Sequence, residues 1–537
     1  MEPNRWQAAA TYVTGAHNMK VGYQGVFHWN QVYTHTNNSN LEFRFDNGVP
    51  NQLTQTLRPY QTDSRVRYDA FYAQDQWTRG KFTFQGAVRY DHAWSYFPAQ
   101  EIPATNFLLE PLVFPESKGV IGYHDIDPRI GVAWDVFGNG KTALKFNAGR
   151  YLEAAVNGNG NYSELLPSNR ISTSVTRSWT DTNRNYNPDC DLLNGEAQDL
   201  RTRGGDLCGR WSNINFAKNV YSLSYDDQIL KGWYNRPSDW QVGLTAQHEL
   251  FPRVSVEVSY LHRWLQNFTV TDNRSVAPSD FTEFSVTAPL DPRLPGGGGY
   301  VVGNLYDVNP DKFGVTDNYR TYSPAYGNIS QVYNGVDITV NARLRNGLQL
   351  QGGTSTGQQV IDSCAVRAQL PEQVSAGASS QGGIAYGPTN PYCHVAPGVT
   401  TRATLAGTYI IPKIDVQFAS TLTSSPGVPL QANWAVPNAV VRQWLGRDLS
   451  GNAPNVSVNL LDPGQMSSDR VNILDFRVGK VLRYGGHRAL IALDLYNALN
   501  LDTVLVQNFT YDPAGAWLVP SQVLTARTAK ITVQYDF

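Results

Sequence analysis

The sequence predicts an all-β fold, an antiparallel transmembrane β-barrel with long extracellular loops. Three observations predict it. Apolar and polar side chains alternate along many segments, and short and long connections alternate along the chain. No apolar run approaches the ~18 residues a spanning helix needs.

The alternation comes first. Val336, Ile338, Val340, Ala342 and Leu344 interleave with Asp337, Thr339, Asn341, Arg343 and Arg345. Ile130, Val132, Trp134 and Val136 interleave with Arg129, Gly131, Ala133 and Asp135. Trp240, Val242, Leu244 and Ala246 do the same, as do Val254, Val256, Val258 and Tyr260. Successive side chains of a strand point to opposite faces, so each segment has one apolar and one polar face.

The connections say which environment the apolar face meets. Short turns are expected at Thr78–Gly80, Phe137–Lys141, Phe251–Arg253, Asn346–Gly347, Pro412–Lys413 and Arg483–His487. Long polar stretches lie at 95–126, 152–237, 268–334, 358–400, 424–469 and 499–523. A soluble sandwich has no reason to gather every long loop at one end. An outer-membrane barrel has short periplasmic turns and long extracellular loops.

About fifteen strands follow: 5–14, 19–35, 64–77, 81–94, 127–136, 142–151, 238–250, 254–267, 335–345, 348–357, 401–411, 414–423, 470–482, 488–498 and 524–537. Strand 470–482 changes phase between Ile473 and Leu474, which predicts a bulge. Trp77, Trp94, Trp134, Tyr151, Trp240 and Trp264 near strand ends fit interfacial girdles.

Composition removes other classes. Lys+Arg is 43 and Asp+Glu 45, a net charge of −2, which excludes a nucleic-acid binder working by bulk positive charge. Aromatics at 12% argue against disorder.

The last strand reads Ile531-Thr532-Val533-Gln534-Tyr535-Asp536-Phe537. Its alternate apolar positions and terminal aromatic resemble the insertion signal of bacterial outer-membrane proteins, with Tyr535 and Phe537 as its residues. Other stretches extend the likeness: His17-Asn18-Met19-Lys20-Val21-Gly22, Tyr72-Ala73-Gln74-Asp75-Gln76-Trp77, Pro128-Arg129-Ile130-Gly131, Asp291-Pro292-Arg293-Leu294-Pro295 and Asp494-Leu495-Tyr496-Asn497-Ala498-Leu499-Asn500. Together, from about residue 17 to 537, they resemble the barrel of a TonB-dependent outer-membrane receptor. The subgroup with a carboxypeptidase-regulatory-like N-terminal domain is the nearest likeness.

That resemblance implies twenty-two strands preceded by a plug, against about fifteen here. No plug, TonB box or signal peptide is read, since Met1-Glu2-Pro3-Asn4 lacks a basic and an apolar region. Residues 1–537 are therefore expected to be one partial barrel domain, a C-terminal fragment unable to transport alone. An open sheet exposes two edges that lipid does not tolerate. The resemblance also implies outer-membrane lipid and the barrel-assembly machinery as partners, with the TonB complex acting through a plug.

Candidate sites are few. Cys190, Cys208, Cys364 and Cys393 fall in two loops outside the cell, where disulfides persist. Four cysteines allow three connectivities. Local pairing, Cys190–Cys208 and Cys364–Cys393, is the preferred one. Their spacing, with no CxxC, does not suit zinc.

Asp181, Asn183, Asn185, Asp189 and Asp191 offer oxygens in the manner of a calcium loop. Tyr186 stands where the loop needs Gly, and Leu192 where it needs Glu. A polar turn is the plainer expectation.

Gly138-Asn139-Gly140-Lys141-Thr142 contains GKT but has Asp135 where a phosphate loop needs Gly, so a hairpin turn is expected. Gly296–Gly299 precedes no helical pattern and reads as loop. No HExxH occurs, and the resemblance to an outer-membrane receptor implies no enzyme and no cofactor.

Arg67, Arg89, Asp135, Lys145, Glu257, Asp337, Arg343 and Arg477 are expected to face the lumen. Charged lumen groups tune passage, though solvation and wall salt bridging are the plainer account of any one of them. Loop aromatics Trp179, Tyr186, Trp211, Trp233 and Tyr234 are candidates for ligand contact or for a loop core.

The expected function is receptor-mediated, energised uptake of a bulky nutrient such as a siderophore, vitamin, glycan or peptide. A plug-free porin of about sixteen strands and a β-rich surface adhesin or carbohydrate-binding protein are the alternatives. Fold alone does not choose the cargo.

Overall fold

A computed structural model describes residues 2–155, 165–344, 347–372 and 386–536. Its main sheet has 18 strands, three of them short pieces at Ser117–Lys118, Lys231–Trp233 and His394–Val395. The others form the wall, numbered here in chain order: β1 Glu2–Thr14, β2 His17–Thr34, β3 Tyr60–Arg79, β4 Phe82–Phe97, β5 Gly122–Asp135, β6 Thr142–Leu152, β7 Ser238–Phe251, β8 Val254–Gln266, β9 Ser330–Arg343, β10 Gln349–Asp362, β11 Thr400–Ile411, β12 Val416–Ser425, β13 Val471–Tyr484, β14 His487–Tyr496 and β15 Thr528–Asp536.

Each wall strand pairs antiparallel with the next in sequence, β1 to β2 and onward to β14 with β15. Among the described residues β1 and β15 do not pair with each other, so the wall is an open sheet.

The register aligns the apolar rows across neighbours. Phe71 faces Tyr90, Leu244 faces Tyr260, Val258 faces Ile338 and Ile491 faces Val533. Leu244, Val258, Ile338 and Val533 remain exposed, which is the lipid-facing band of a barrel. β3 runs 20 residues, well past the ~9–11 that span a bilayer, so the wall projects beyond it.

Turns and loops segregate to opposite ends. Gly80 turns β3 into β4 at φ 59, a conformation glycine adopts without a side-chain penalty. Between β5 and β6 the Asp135 carboxylate accepts the N–H groups of Gly138 and Gly140 at 2.9 and 2.8 Å. The GKT segment is that hairpin turn. The turn expected at Asn346–Gly347 has Asn346, with Arg345 before it, outside the described residues. Long connections occupy the other end, and 35–59 is a further one that the sequence reading left out.

The bulge expected between Ile473 and Leu474 is absent. β12 and β13 pair one-to-one from Ser425–Val471 to Val416–Lys480. The irregularity lies on the next strand's exit. Asn497 adopts φ 48, its N–H bonds the Asp475 carboxylate at 2.9 Å, and Ala498 N–H reaches Leu474 O at 2.7 Å. Above the lipid band both faces of β13 are half-buried, so the apolar phase need not hold.

The loops build cores of their own. One cap packs Leu53, Phe114, Trp179, Cys190, Cys208 and Trp211. A second packs Phe284, Val436, Val441, Leu460, Tyr511 and Trp517, drawn from three connections far apart in sequence. Such packing makes these connections ordered structure and not coil.

Candidate functional site

The inner wall carries polar side chains on the face opposite the lipid row. Lys145 bonds Glu257 at 3.1 Å and Gln247 at 2.7 Å across three strands. Arg477 pairs with Asp494, which also accepts the Thr532 hydroxyl at 2.7 Å. Asp337 shares a recess of about 410 Å³ with Arg402, and Arg343 lines another of about 580 Å³ near the turns.

Two expectations on facing fail. Arg67 lies on the outer face, with its guanidinium 4.6 Å from the Trp6 ring centre and bonded to Asp69 at 2.9 Å. Its neighbours Val66 and Ala70 take the buried inner side. β3 has left the lipid band at this height, so its outer face meets the polar interface. Tyr151 belongs inside, stacked on Arg129 at 4.5 Å, and joins no girdle. Asp135 is spent on its turn. Trp77 stacks on Phe84 and Trp134 on Phe82 near the turns, while Trp240 stacks on Trp264 near the loops. Those pairs mark two levels of the wall.

The densest chemistry is a cavity of about 330 Å³ on the inner wall of β1–β6. β5 and β6 pair only as far as Arg129–Gly149 and then part. Arg150 fills that fork, donating to Asp125 at 2.9 Å, Asp127 at 3.0 Å and Ser238 Oγ at 3.1 Å. Arg89 grips both oxygens of Asp91 at 3.0 Å and reaches Gln24 at 2.9 Å. Asp91, Asp125, Asp127 and Arg150 are all buried. Buried charge persists only when paired in this way. Arg5 and Arg129 line the same cavity and form no ion pair among the described residues.

None of Arg5, Asp125, Asp127, Arg129, Arg150 or Arg236 was named as a site residue from sequence. The visible signal was Asp125, Asp127 and Arg129 at alternate positions, which puts three charges on one face of one strand.

The loop residues divide. Trp179 and Trp211 pack inside the first cap, whereas Tyr186, Trp233 and Tyr234 stay exposed. Disulfides join Cys190 to Cys208 and Cys364 to Cys393. Asp181 accepts the N–H groups of Asn185 and Tyr186, Asn185 that of Asn187, and Asp191 that of Leu193. Asn183 donates to Asp189 at 2.7 Å. These oxygens serve the turn, and no group of three or more His, Cys, Asp or Glu is placed to hold a metal among the described residues.

Charges also lock the caps. Arg293 holds the Asp291 carboxyl down at about 2 and donates to the carbonyls of Trp517 and Asp512 at 3.3 and 3.2 Å. Burial lowers Arg177 to about 10 while it donates to the Gly209, Asn194 and Glu196 carbonyls. Tyr535 lies on the outer face of β15, stacked on His487 at 5.6 Å. Phe537 lies outside the described residues.

No curated protein sequence matches the chain. Among solved structures it is similar to the outer membrane transporter YddB from Escherichia coli, at 10% identity and a TM-score of 0.44, over 99% of this chain and 65% of that one. It is similar to the ferric-catecholate import receptor Fiu from Escherichia coli K12, at 10% identity and a TM-score of 0.48, over 99% of this chain and 54% of that one. The FrpB iron transporter from Neisseria meningitidis is similar at 10% identity and a TM-score of 0.43, over 99% and 55%. The chain thus spans between about half and two thirds of the length of these proteins. Residues 3–354 match the outer membrane beta barrel domain, and the chain, a bacterial outer-membrane barrel, belongs to that family.

Proposed function

We propose that this wall is part of a receptor that captures a bulky nutrient at the cell surface and admits it by energised transport. One observation carries the reading. Ordered loop caps with their own cores stand over a polar, ion-paired inner wall, while the connections described at the opposite end are short turns. A simple diffusion channel has no use for such built extracellular caps. The sequence resemblance to TonB-dependent receptors, including the subgroup with a carboxypeptidase-regulatory-like domain, supports the same reading. In it, the TonB complex acts through a plug.

Closure follows from strand direction. β1 and β15 both run from the loop end to the turn end, so joining them directly would make a parallel pair. Antiparallel closure takes an odd number of further strands, as lipid requires of any free edge. Strand β15 is the segment proposed to be read by the barrel-assembly machinery.

The test is uptake. Cells producing the intact receptor with this wall should show saturable, energy-dependent accumulation of one nutrient, abolished by dissipating the proton gradient. Unsaturable leakage of small solutes would overturn the reading in favour of a porin. A protein that stays out of the outer-membrane fraction, with no mobility shift on boiling in SDS, would overturn the barrel assignment itself.

A further inference from the structure

We propose that the cavity on the inner wall of β1–β6 is a binding site for a compact dianionic group, phosphate or carboxylate, borne on an aromatic or apolar body. As a statement about cargo this rests on the receptor reading above.

The charge count points to an anion. Five arginines line the cavity with three carboxylates, Asp91, Asp127 and Glu153. Arg89 and Arg150 are committed to Asp91, Asp125 and Asp127 by the bonds already described. Arg236 donates to the Glu153 carbonyl. With Asp125 counted, five arginines face four carboxylates and leave one positive charge in excess, and Arg5 and Arg129, from strands more than a hundred residues apart, form no ion pair among the described residues. A guanidinium fork matches a carboxylate or phosphate edge and holds it with two N–H bonds.

The setting makes those two cations usable. The buried pairs behind them keep the local field fixed, since neither Asp91 nor Asp127 can turn outward without losing its arginine. Arg129 is held from one side by the Tyr151 ring. Val26, Leu152 and Ala155 supply apolar surface beside the charges. A cavity of about 330 Å³ lies at the lower end of the range that encloses small ligands. It takes a phosphate or a dicarboxylate together with one ring, and is too small for a whole bulky nutrient. The site would hold the anionic end of the cargo as it passes the wall.

Binding to the intact receptor that carries this wall, held in detergent micelles, tests this. Phenyl phosphate is the first probe, phenylsuccinate the second, and phenol the neutral control. Saturable binding of either dianion, with none of phenol, is expected. The better of the two identifies the anion's chemistry. R129Q and R5Q should each weaken it by roughly tenfold or more, with partial recovery in R129K. K145Q, which removes an inner-wall cation outside the cavity, should leave binding unchanged. Folding of each variant is checked by the shift on boiling in SDS. No saturable binding, equal binding of phenol, or loss in K145Q matching that in R129Q would overturn the site. A folded barrel that binds no anion defeats this proposal alone. Loss of energised uptake with anion binding intact defeats the receptor reading and leaves the site standing.

Discussion

Arg150 and Asp125 meet at 2.9 Å in the fork where β5 and β6 stop pairing. The pair fills a gap that backbone hydrogen bonds no longer close, and it is buried from both sides. Asp127 completes the grip from the next inward-facing position of β5. The fork is therefore held by side-chain charge where the ladder ends.

Removing the cation should show its weight. Arg150→Met leaves two buried carboxylates facing each other without compensation. A loss of about 3–5 kcal/mol in unfolding free energy is expected from breaking such a pair. Urea titration of the folded chain, followed by the boiling shift, measures it. Asp125→Asn added to Arg150→Met should recover part of the loss, because one uncompensated charge disappears.

The face assignment predicts a contrast between adjacent residues. Leu244 lies on the exposed outer row, and Thr245 on the inner side bonds Ser259 at 2.8 Å. Leu244→Arg puts a charge into lipid and should cost about 2–4 kcal/mol at mid-depth. Thr245→Arg should cost far less. Equal costs at the two sites would show that the faces are reversed.

Trp517 ties three connections together. It is 2% exposed, packs edge-on to Tyr511 at 5.3 Å and donates to the Gln431 carbonyl at 2.8 Å. Trp517→Ala should destabilise the second cap by about 3–5 kcal/mol through cavity formation. Protease sensitivity should appear between residues 426 and 470 while the wall keeps its boiling shift, since the cap core is separate from the lipid-facing rows.

Glu372 supplies a pH dependence. Burial pushes its carboxyl up from 4.5 to about 7, although it accepts the Asn273 N–H at 3.3 Å. The folded connection after β10 thus favours the protonated form. Its contribution is complete below pH 4.5 and is lost as the pH rises towards 7. The protection factor of the Asn273 N–H, taken against intrinsic exchange at each pH, should fall across that window, and Glu372→Gln should flatten its pH dependence.

How much of this was legible in the sequence differs by element. The spans of β6, β7 and β8 match the expected ones closely because strand periodicity is a local property. The connection asymmetry was equally visible. Arg67 was misplaced because alternation gives two faces but not the height at which the outer face leaves lipid, and Tyr151 because a ring near a strand end suits the inner face as well as a girdle.

The sequence by itself determined an all-β wall with short turns at one end and long connections at the other, since side-chain alternation and turn chemistry act over a few residues. Only the tertiary structure decided which charges meet. Arg5, Arg89, Asp127, Arg129 and Arg150 come from four strands, and their convergence depends on the register of every pair between them. The same holds for the cap that joins Asp291, Gln431 and Trp517, whose contacts span up to 224 residues. Contacts across such separations arise from packing and burial, and no local pattern encodes them.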